Sequence, residues 1–306
     1  MTSRACDLRC RYCYTAAGPA RRNELTTEHR LWVLNQAAEL GAELLWIPGE
    51  GEPLIDPGFW PLLEEAAQLG IWTLFYTSGT QVTEEVARRI ADLPCSVVLK
   101  VNSLHPEVQN RLADVPGSCD AIHRGIRLIR ATGIADQNRV AAETVILPDN
   151  LGEIPDIFRF CRSQGILPYI ERLLPSGRGA ATDLQLDQDV EDHVFSELAA
   201  IDREEFGYEW KPHGNFATGL WDCDRIVHTL VVDAAGSVHP CVAIDQPLGD
   251  VRQERLAEIW TSRRLMRLRA SVFPALGQGT CYCRQYLTEQ QLTESRVPSM
   301  DGLGAT

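Results

Sequence analysis

No apolar run in this sequence reaches the length of a membrane-spanning helix, and its N-terminus lacks the charged-then-apolar pattern of a secretory signal. Basic residues are in short supply. Lys and Arg total 29 against 42 Asp and Glu, a net charge of −13. That deficit argues against binding a phosphate backbone, so neither nucleic acid nor a membrane is an expected partner. It suits a cationic ligand, and it is also an ordinary way of staying soluble. No internal repeat or low-complexity segment interrupts the chain. A cytoplasmic location is expected, and there the ten cysteines are metal ligands or free thiols more readily than disulfides.

What is present is concentrated early. Cys6, Cys10 and Cys13 have the spacing C-x3-C-x2-C. Three soft sulfur ligands this close can hold zinc or an iron–sulfur cluster. Structural zinc wants a fourth protein ligand, whereas a [4Fe-4S] cluster on three cysteines leaves one iron open to a small molecule.

Beyond this loop the pattern alternates. Helical spacing over 27–40, with a Leu31, Val33, Leu34, Ala37, Ala38, Leu40 stripe, is followed by short apolar strands at 44–47, 71–76, 96–101, 139–147 and 166–173. Helices are expected between them, one starting at an Asp56-Pro57 cap and one at an Asn150/Glu153 capping box. Strict alternation means a parallel sheet with right-handed crossovers. Only five residues precede Cys6, so either a first strand there is very short or the true start lies upstream. Cys6–Cys13, Gly51-Glu52-Pro53, Thr77-Ser78 and Asn102-Ser103 all fall at strand C-termini, where barrels of this kind keep their chemistry. Lys100, Glu143 and Glu171-Arg172 are charges on apolar strands, placed either toward a polar interior or at a solvated end. Residues 174–187 read as a Gly/Ser-rich linker, 188–202 as a helix, 227–232 and 237–241 as a small hairpin, and 256–268 as a helix.

The cysteine triple, with Tyr12 before its last member, resembles the signature of the radical S-adenosylmethionine (SAM) enzymes. The resemblance implies an α/β fold: a partial (β/α)6 TIM-like barrel with a small C-terminal α+β twitch domain. It implies a [4Fe-4S] cluster on Cys6, Cys10 and Cys13 whose open iron chelates SAM, and reductive cleavage of SAM to a 5′-deoxyadenosyl radical. An electron donor such as flavodoxin or ferredoxin is then needed. Gly51-Glu52-Pro53 resembles the superfamily's Gly-Gly-Glu-Pro segment, with Glu50 replacing the first glycine. By the same resemblance Tyr12, Glu50, Gly51, Glu52, Pro53, Thr77, Ser78 and Ser103 surround SAM; helix capping is the alternative for the hydroxyls.

Cys223, Cys241, Cys281 and Cys283 are similar to the ligand set of the twitch module's auxiliary [4Fe-4S] cluster, giving two clusters per chain. Their last pair is C-x-C where the module has C-x2-C, which leaves Cys241 either a ligand or a free reagent. Structural zinc is the alternative at these four, and a zinc-stapled binding protein is the non-enzymatic alternative for the chain. The implied division is 1–180 barrel, 181–215 linker and helix, 216–286 twitch domain, and 287–306 polar tail.

The cluster motif starts at once, with no peptide-recognition domain ahead of it, which favours a small cationic substrate. In size and layout the chain is similar to aminoglycoside-pathway enzymes such as neomycin C epimerase. That likeness implies hydrogen abstraction from a sugar C–H and return of hydrogen to the opposite face by a cysteine thiol, Cys241, with Cys119 in reserve. The alternatives are oxidation of an aminocyclitol to a ketone and modification of a ribosomally made peptide.

Overall fold

Strands and helices alternate in space as they do in sequence. The computed structural model describes residues 2–210, 225–242 and 246–272. The strands β1 (Leu44–Ile47), β2 (Trp72–Thr77), β3 (Cys95–Lys100), β4 (Val140–Val145) and β5 (Leu167–Glu171) form one parallel sheet in sequential order. The helices α1 (Thr27–Glu39), α2 (Phe59–Gln68), α3 (Glu84–Asp92), α4 (Pro106–Ala113), α5 (Ser118–Ala131) and α6 (Ile154–Ser163) lie in the connections. Thr26 and Thr83 cap α1 and α3, each side chain accepting a backbone N–H from the first turn.

The two faces of the sheet differ. Phe75, Val97, Leu99, Ala142 and Ile170 enter the main core with Leu62, Leu63, Ile90, Ile126 and Phe158 from the surrounding helices. Side chains alternate along a strand, so Trp46, Tyr76, Lys100, Glu143, Tyr169 and Glu171 project from the opposite, inward face. Pairing aligns Lys100 with Glu143, and Glu143 with Tyr169.

The stub ahead of Cys6 does not make a sixth strand. It forms a single bridge, Ala5 to Gly18. Its carbonyls are taken elsewhere: Gly18 N–H donates to Arg4 at 3.1 Å and Glu52 N–H to Ala5 at 2.8 Å. Two expected caps are also replaced. Asp56 accepts from Ser3 N at 2.7 Å and Arg30 at 2.6 Å, and α2 starts later, behind Gly58. The Asn150/Glu153 box does not close. Asn150 bonds the backbone of Leu147, Val145 and Asn102, while Glu153 accepts from Ser103 and Leu104. Both side chains find buried partners at the end of β3 that a helix start cannot match.

After β5 the linker holds two 3-10 turns, Gly177–Ala180 and Thr182–Leu184, and leads into α7 (Gln188–Ile201). Arg172 is buried against α7, paired with Glu191 at 2.5 Å and with Asp192. A short helix α8 (Arg225–His228) stands where the first hairpin strand was expected, followed by β6 (Val231–Val232), β7 (Ser237–His239) and β8 (Gly249–Asp250) in an antiparallel sheet. The expected helix over 256–268 is two, α9 (Leu256–Trp260) and α10 (Arg263–Val272). Val232, Val238, Leu248, Leu256, Ile259 and Leu265 form a second core that includes Val33 of α1, so this small unit sits on the barrel's first helix. Cys223, Cys281, Cys283 and the tail from 287 lie outside the described residues. Among the described residues no helix is long and apolar enough to cross a membrane.

Candidate functional site

The cysteine loop has little regular structure of its own and is held by its surroundings. Arg9 and Arg11 donate backbone N–H groups to Ala113 and Leu112 at the end of α4, at 3.0 and 2.9 Å. Arg178, from the first turn of the linker, spans the loop: its guanidinium donates to Cys10 O and Ala17 O, both at 2.8 Å, and its own N–H to Cys13 O at 2.9 Å. Glycines let backbones meet here. A Cβ on Gly51 would overlap Ala5 O and stand 2.7 Å from Ser3 O. One on Gly179 would lie 2.9 Å from Tyr12 O.

The three thiols are half-buried and differ electrostatically. Burial pushes Cys6 up to about 12 and Cys10 to about 11. At Cys13 burial works the same way, but hydrogen bonds from Thr15 and from the Ala17 N–H at 3.3 Å outweigh it and hold the thiol below its ordinary value. The resistance of two half-buried thiols to ionisation is what a cationic iron centre would reverse, because coordination replaces the proton. Among the described residues no three His, Cys, Asp or Glu side chains are grouped to hold a single metal ion. A cubane cluster spreads its ligands wider than one zinc ion does. Two buried polar atoms near the loop, Asp7 Oδ1 and Tyr14 Oη, have no hydrogen-bond partner. The donor set and the orphaned atoms fit a bound cluster and its ligand.

Glu52 is the next feature outward. Its carboxylate is 2% exposed and accepts from Thr77 Oγ1 at 2.6 Å, Ser78 N at 2.8 Å and Leu54 N at 3.1 Å. Burial raises its pKa in spite of those bonds. A buried carboxylate with lone pairs left over is a ready partner for an ammonium group. Thr77 and Ser78 are therefore brought to Glu52, and Ser78 continues through Thr80 to Asp7 of the cysteine loop, at 2.9 and 2.7 Å. Pro53 is buried behind them at the start of a 3-10 turn.

Other predicted residues are placed apart. Glu50 turns away and accepts the Ala234 N–H of the β6–β7 turn at 2.8 Å; burial, then the Asp233 charge, raise its pKa. Only its carbonyl faces the loop, accepting from Thr15 at 2.7 Å. Ser103 Oγ donates to Glu153 at 2.7 Å. Cys119 is buried in the first turn of α5, its N–H bonded to Asn110. Cys241 is buried just after β7.

Tyr12 shows the role of Asn102, which the sequence placed at a strand end without assigning it a partner. Asn102 donates to Tyr12 Oη at 2.5 Å, accepts from Val145 N at 2.8 Å and takes Asn150 on its carbonyl at 2.7 Å. It ties the cluster loop to the ends of β3 and β4. Its position at a strand C-terminus was the available signal. Arg178 carried none beyond lying in a glycine-rich turn.

On the inward face, Lys100 pairs with Glu143 and lies 5.5 Å from the Tyr12 ring. Glu171 lies on the same inward face of the neighbouring strand, where burial and then the Glu143 charge push its carboxyl well above the usual range. Tyr76 packs edge-on against Trp46 and Tyr169, with centroids 6.2 and 6.3 Å away. Arg225 of α8 stacks over Trp46 at 4.4 Å and donates to Tyr169 at 3.4 Å, reaching from one edge strand of the sheet to the other. The inward face thus carries the thiol loop at one end, an aromatic cluster of Trp46, Tyr76 and Tyr169, and the Lys100–Glu143 ion pair.

Comparison with known proteins fits this arrangement. The radical SAM superfamily profile matches residues 1–161, and an iron–sulfur cluster-binding domain, SPASM, matches 223–285. An AdoMet-dependent heme synthase from Oleidesulfovibrio alaskensis is 24% identical over 302 residues, spanning 87% of this chain and 74% of that enzyme. The mycofactocin maturase MftC of Mycobacterium ulcerans is 29% identical over 177 residues, 58% of this chain and 47% of that protein. Streptococcus suis SuiB, in a crystal structure bound to the precursor peptide SuiA, shares the fold with a TM-score of 0.72 at 17% identity, over 92% of this chain and 71% of SuiB.

Proposed function

Since this chain belongs to the radical SAM superfamily, we propose that it modifies a ribosomally made precursor peptide by hydrogen abstraction. Its cofactors are SAM and two [4Fe-4S] clusters. The observation that carries the peptide is the relation to the mycofactocin maturase, the highest identity among the relatives above. The fold shared with peptide-bound SuiB supports it. The small cationic sugar expected from composition has weaker support, because the relatives are a mycofactocin maturase, an enzyme crystallised with its precursor peptide and a heme synthase.

In this reading Cys6, Cys10 and Cys13 hold the cluster that supplies an electron to SAM. Glu52, kept in place by Thr77, Ser78 and Leu54, accepts the SAM ammonium. Gly51 and Pro53 shape the backbone beside it, and Asn102 orients Tyr12. Cys223, Cys281 and Cys283, with Cys241, hold the second cluster. The barrel takes residues 1–180 and the auxiliary domain 216–286. A flavodoxin or ferredoxin in a reducing cytoplasm delivers the electron.

Anaerobically reconstituted protein should be brown and carry about seven to eight irons per chain. With reductant, SAM and a candidate precursor peptide, mass spectrometry should show a changed peptide and stoichiometric or catalytic 5′-deoxyadenosine. An unmodified peptide, with deuterium instead entering an aminoglycoside in deuterated water, would overturn the reading in favour of sugar epimerisation. The buried thiol of Cys241 is the observation that keeps that second reading, as its hydrogen donor. In that case Cys241→Ala should cleave SAM and leave the sugar unepimerised.

Glu52→Gln should keep the cluster's visible absorbance but weaken SAM binding about tenfold to a hundredfold, the range for a lost charged hydrogen bond. Equilibrium dialysis with labelled SAM measures it.

A further inference from the structure

Strand β1 and the loop behind it grip the small C-terminal unit at two points, Trp46 and Glu50. Arg225 of α8 stacks over the Trp46 ring at 4.4 Å and reaches Tyr169 on β5 at 3.4 Å. Farther along the chain, Ala234 in the β6–β7 turn donates its N–H to the Glu50 carboxylate at 2.8 Å. Only the end of α8 and β6 separate the two contacts, and Thr229 N–H bonds back to Arg225 O at 2.8 Å. The turn and the arginine are therefore parts of one short, bonded piece. Ala234 is 1% exposed, so its N–H needs a protein acceptor and would be costly to leave without one.

Other bonds hold the same turn from a different side. Leu25 N–H donates to Ala234 O at 2.7 Å, and Arg252 donates to Ala235 O and Asn23 O. These fix the turn to the segment leading into α1. Glu50 fixes it to the loop that carries Gly51-Glu52-Pro53. The Glu50 carbonyl also accepts from Thr15 of the cysteine loop at 2.7 Å. One residue thus supports the cysteine loop through its backbone and the C-terminal unit through its side chain. A glycine at this place, as in the segment it resembles, could do only the first.

We propose that Glu50 is a positioning residue: its carboxylate latches the C-terminal unit to the SAM loop and so holds Arg225 over the inward face, where the substrate is handled. This rests on the radical SAM reading of the site and goes beyond it, because Glu50 then acts on the placing of the substrate and not on SAM. No bond to substrate forms or breaks at Glu50. Removing the carboxylate leaves the Thr15 bond, so the thiol loop keeps its support. It strands the buried Ala234 N–H, and the turn, β6 and α8 must shift to find another acceptor. Arg225 then loses its place over Trp46 and beside Tyr169.

The test uses the full chain loaded with its clusters. Hydrogen–deuterium exchange at Ala234 should quicken at least about tenfold in Glu50→Ala, the effect of losing a hydrogen bond to a charged group. Exchange at α8 should rise with it. Glu50→Gln keeps an oxygen for the same N–H and should exchange much as the native protein does. SAM affinity, by equilibrium dialysis, should stay near the native value in both. With SAM, reductant and a candidate precursor peptide, Glu50→Ala should still form 5′-deoxyadenosine. Modified peptide per 5′-deoxyadenosine should fall by up to about a hundredfold, the cost of an ångström of misplacement. Glu50→Gln should recover most of that ratio. Arg225→Ala should show the same fall, and the double variant no further fall, because both changes undo one latch. A purely structural residue would lower stability, SAM cleavage and modification together and leave the ratio unchanged. Native exchange at Ala234 and α8 in Glu50→Ala overturns the latch, and an unchanged ratio overturns its role in placing the substrate. If native protein leaves the peptide untouched, the peptide reading fails, and the exchange measurements still decide the latch.

Discussion

Replacing Gly51 by alanine is expected to abolish cluster binding and SAM cleavage together. The added methyl would be driven into the backbone of the N-terminal stub, overlapping Ala5 O and approaching Ser3 O and the Arg4 carbonyl carbon at 2.7 Å. Ordinary over-packing costs about 1–3 kcal/mol because side chains give way. Here the obstacle is main chain, so the Glu52 N–H to Ala5 O bond must open and the loop carrying Cys6 must move. A loss of about 3 kcal/mol corresponds to roughly 6–12 °C in Tm for a domain of this size. Calorimetry, iron content and 5′-deoxyadenosine yield should all fall. Gly152→Ala is the matched control, because a Cβ there meets nothing within 4 Å. A Gly51→Ala protein with native iron content would show that the stub can move without disturbing the thiols.

Arg172→Met is expected to destabilise the barrel by about 3–5 kcal/mol, the cost of leaving a buried charge without its partner. The guanidinium is fully buried, pairs with Glu191 at 2.5 Å and with Asp192, and lies 5.0 Å from the Phe195 ring. Asp192 is half exposed and can turn to water, but Glu191 cannot. Methionine fills much of the volume, so the loss is electrostatic. The predicted drop in Tm is about 6–20 °C, and adding Glu191→Leu should restore most of it, since an apolar pair can replace a buried ion pair at little cost. Failure of the double variant to recover would place the stabilising contact elsewhere on α7.

The strand–helix alternation was readable because it is local. Phe75, Val97 and Leu99 alternate with inward residues at the period of a strand, and the Leu31–Ala38 stripe has the period of a helix. The helix α4 was not foreseen, since it follows a histidine and a proline and shows only Val108, Leu112 and Ala113 as apolar residues. The cysteine triple was visible through its spacing, and Glu52 through the resemblance of Gly51-Glu52-Pro53 to a Gly-Gly-Glu-Pro segment. What holds them was not. Arg178 reaches Cys10 across 168 residues, Asn102 reaches Tyr12 across 90, and Glu50 reaches Ala234 across 184. Such side-chain bonds leave no period in a sequence. Glu50 shows the consequence: its place beside Gly51 suggested SAM, yet its carboxylate is used to seat the second domain. The same holds for Glu143 and Glu171, whose place on one face of neighbouring strands depends on strand order and register.

The staple from Arg178 also bears on the order of events during synthesis. The three thiols occupy the first thirteen positions of the chain, but the residue that fixes the path between Cys10 and Ala17 is translated long afterwards, beyond β5. Closing so large a loop costs chain entropy that grows with the logarithm of its length, and only a nearly finished sheet can offset it. Until then the nascent thiols are exposed ligands on an unstructured leader. If these thiols hold the cluster, iron delivery is expected after the barrel has assembled, and a ribosome stalled before residue 178 should present cysteines that bind iron poorly and oxidise readily.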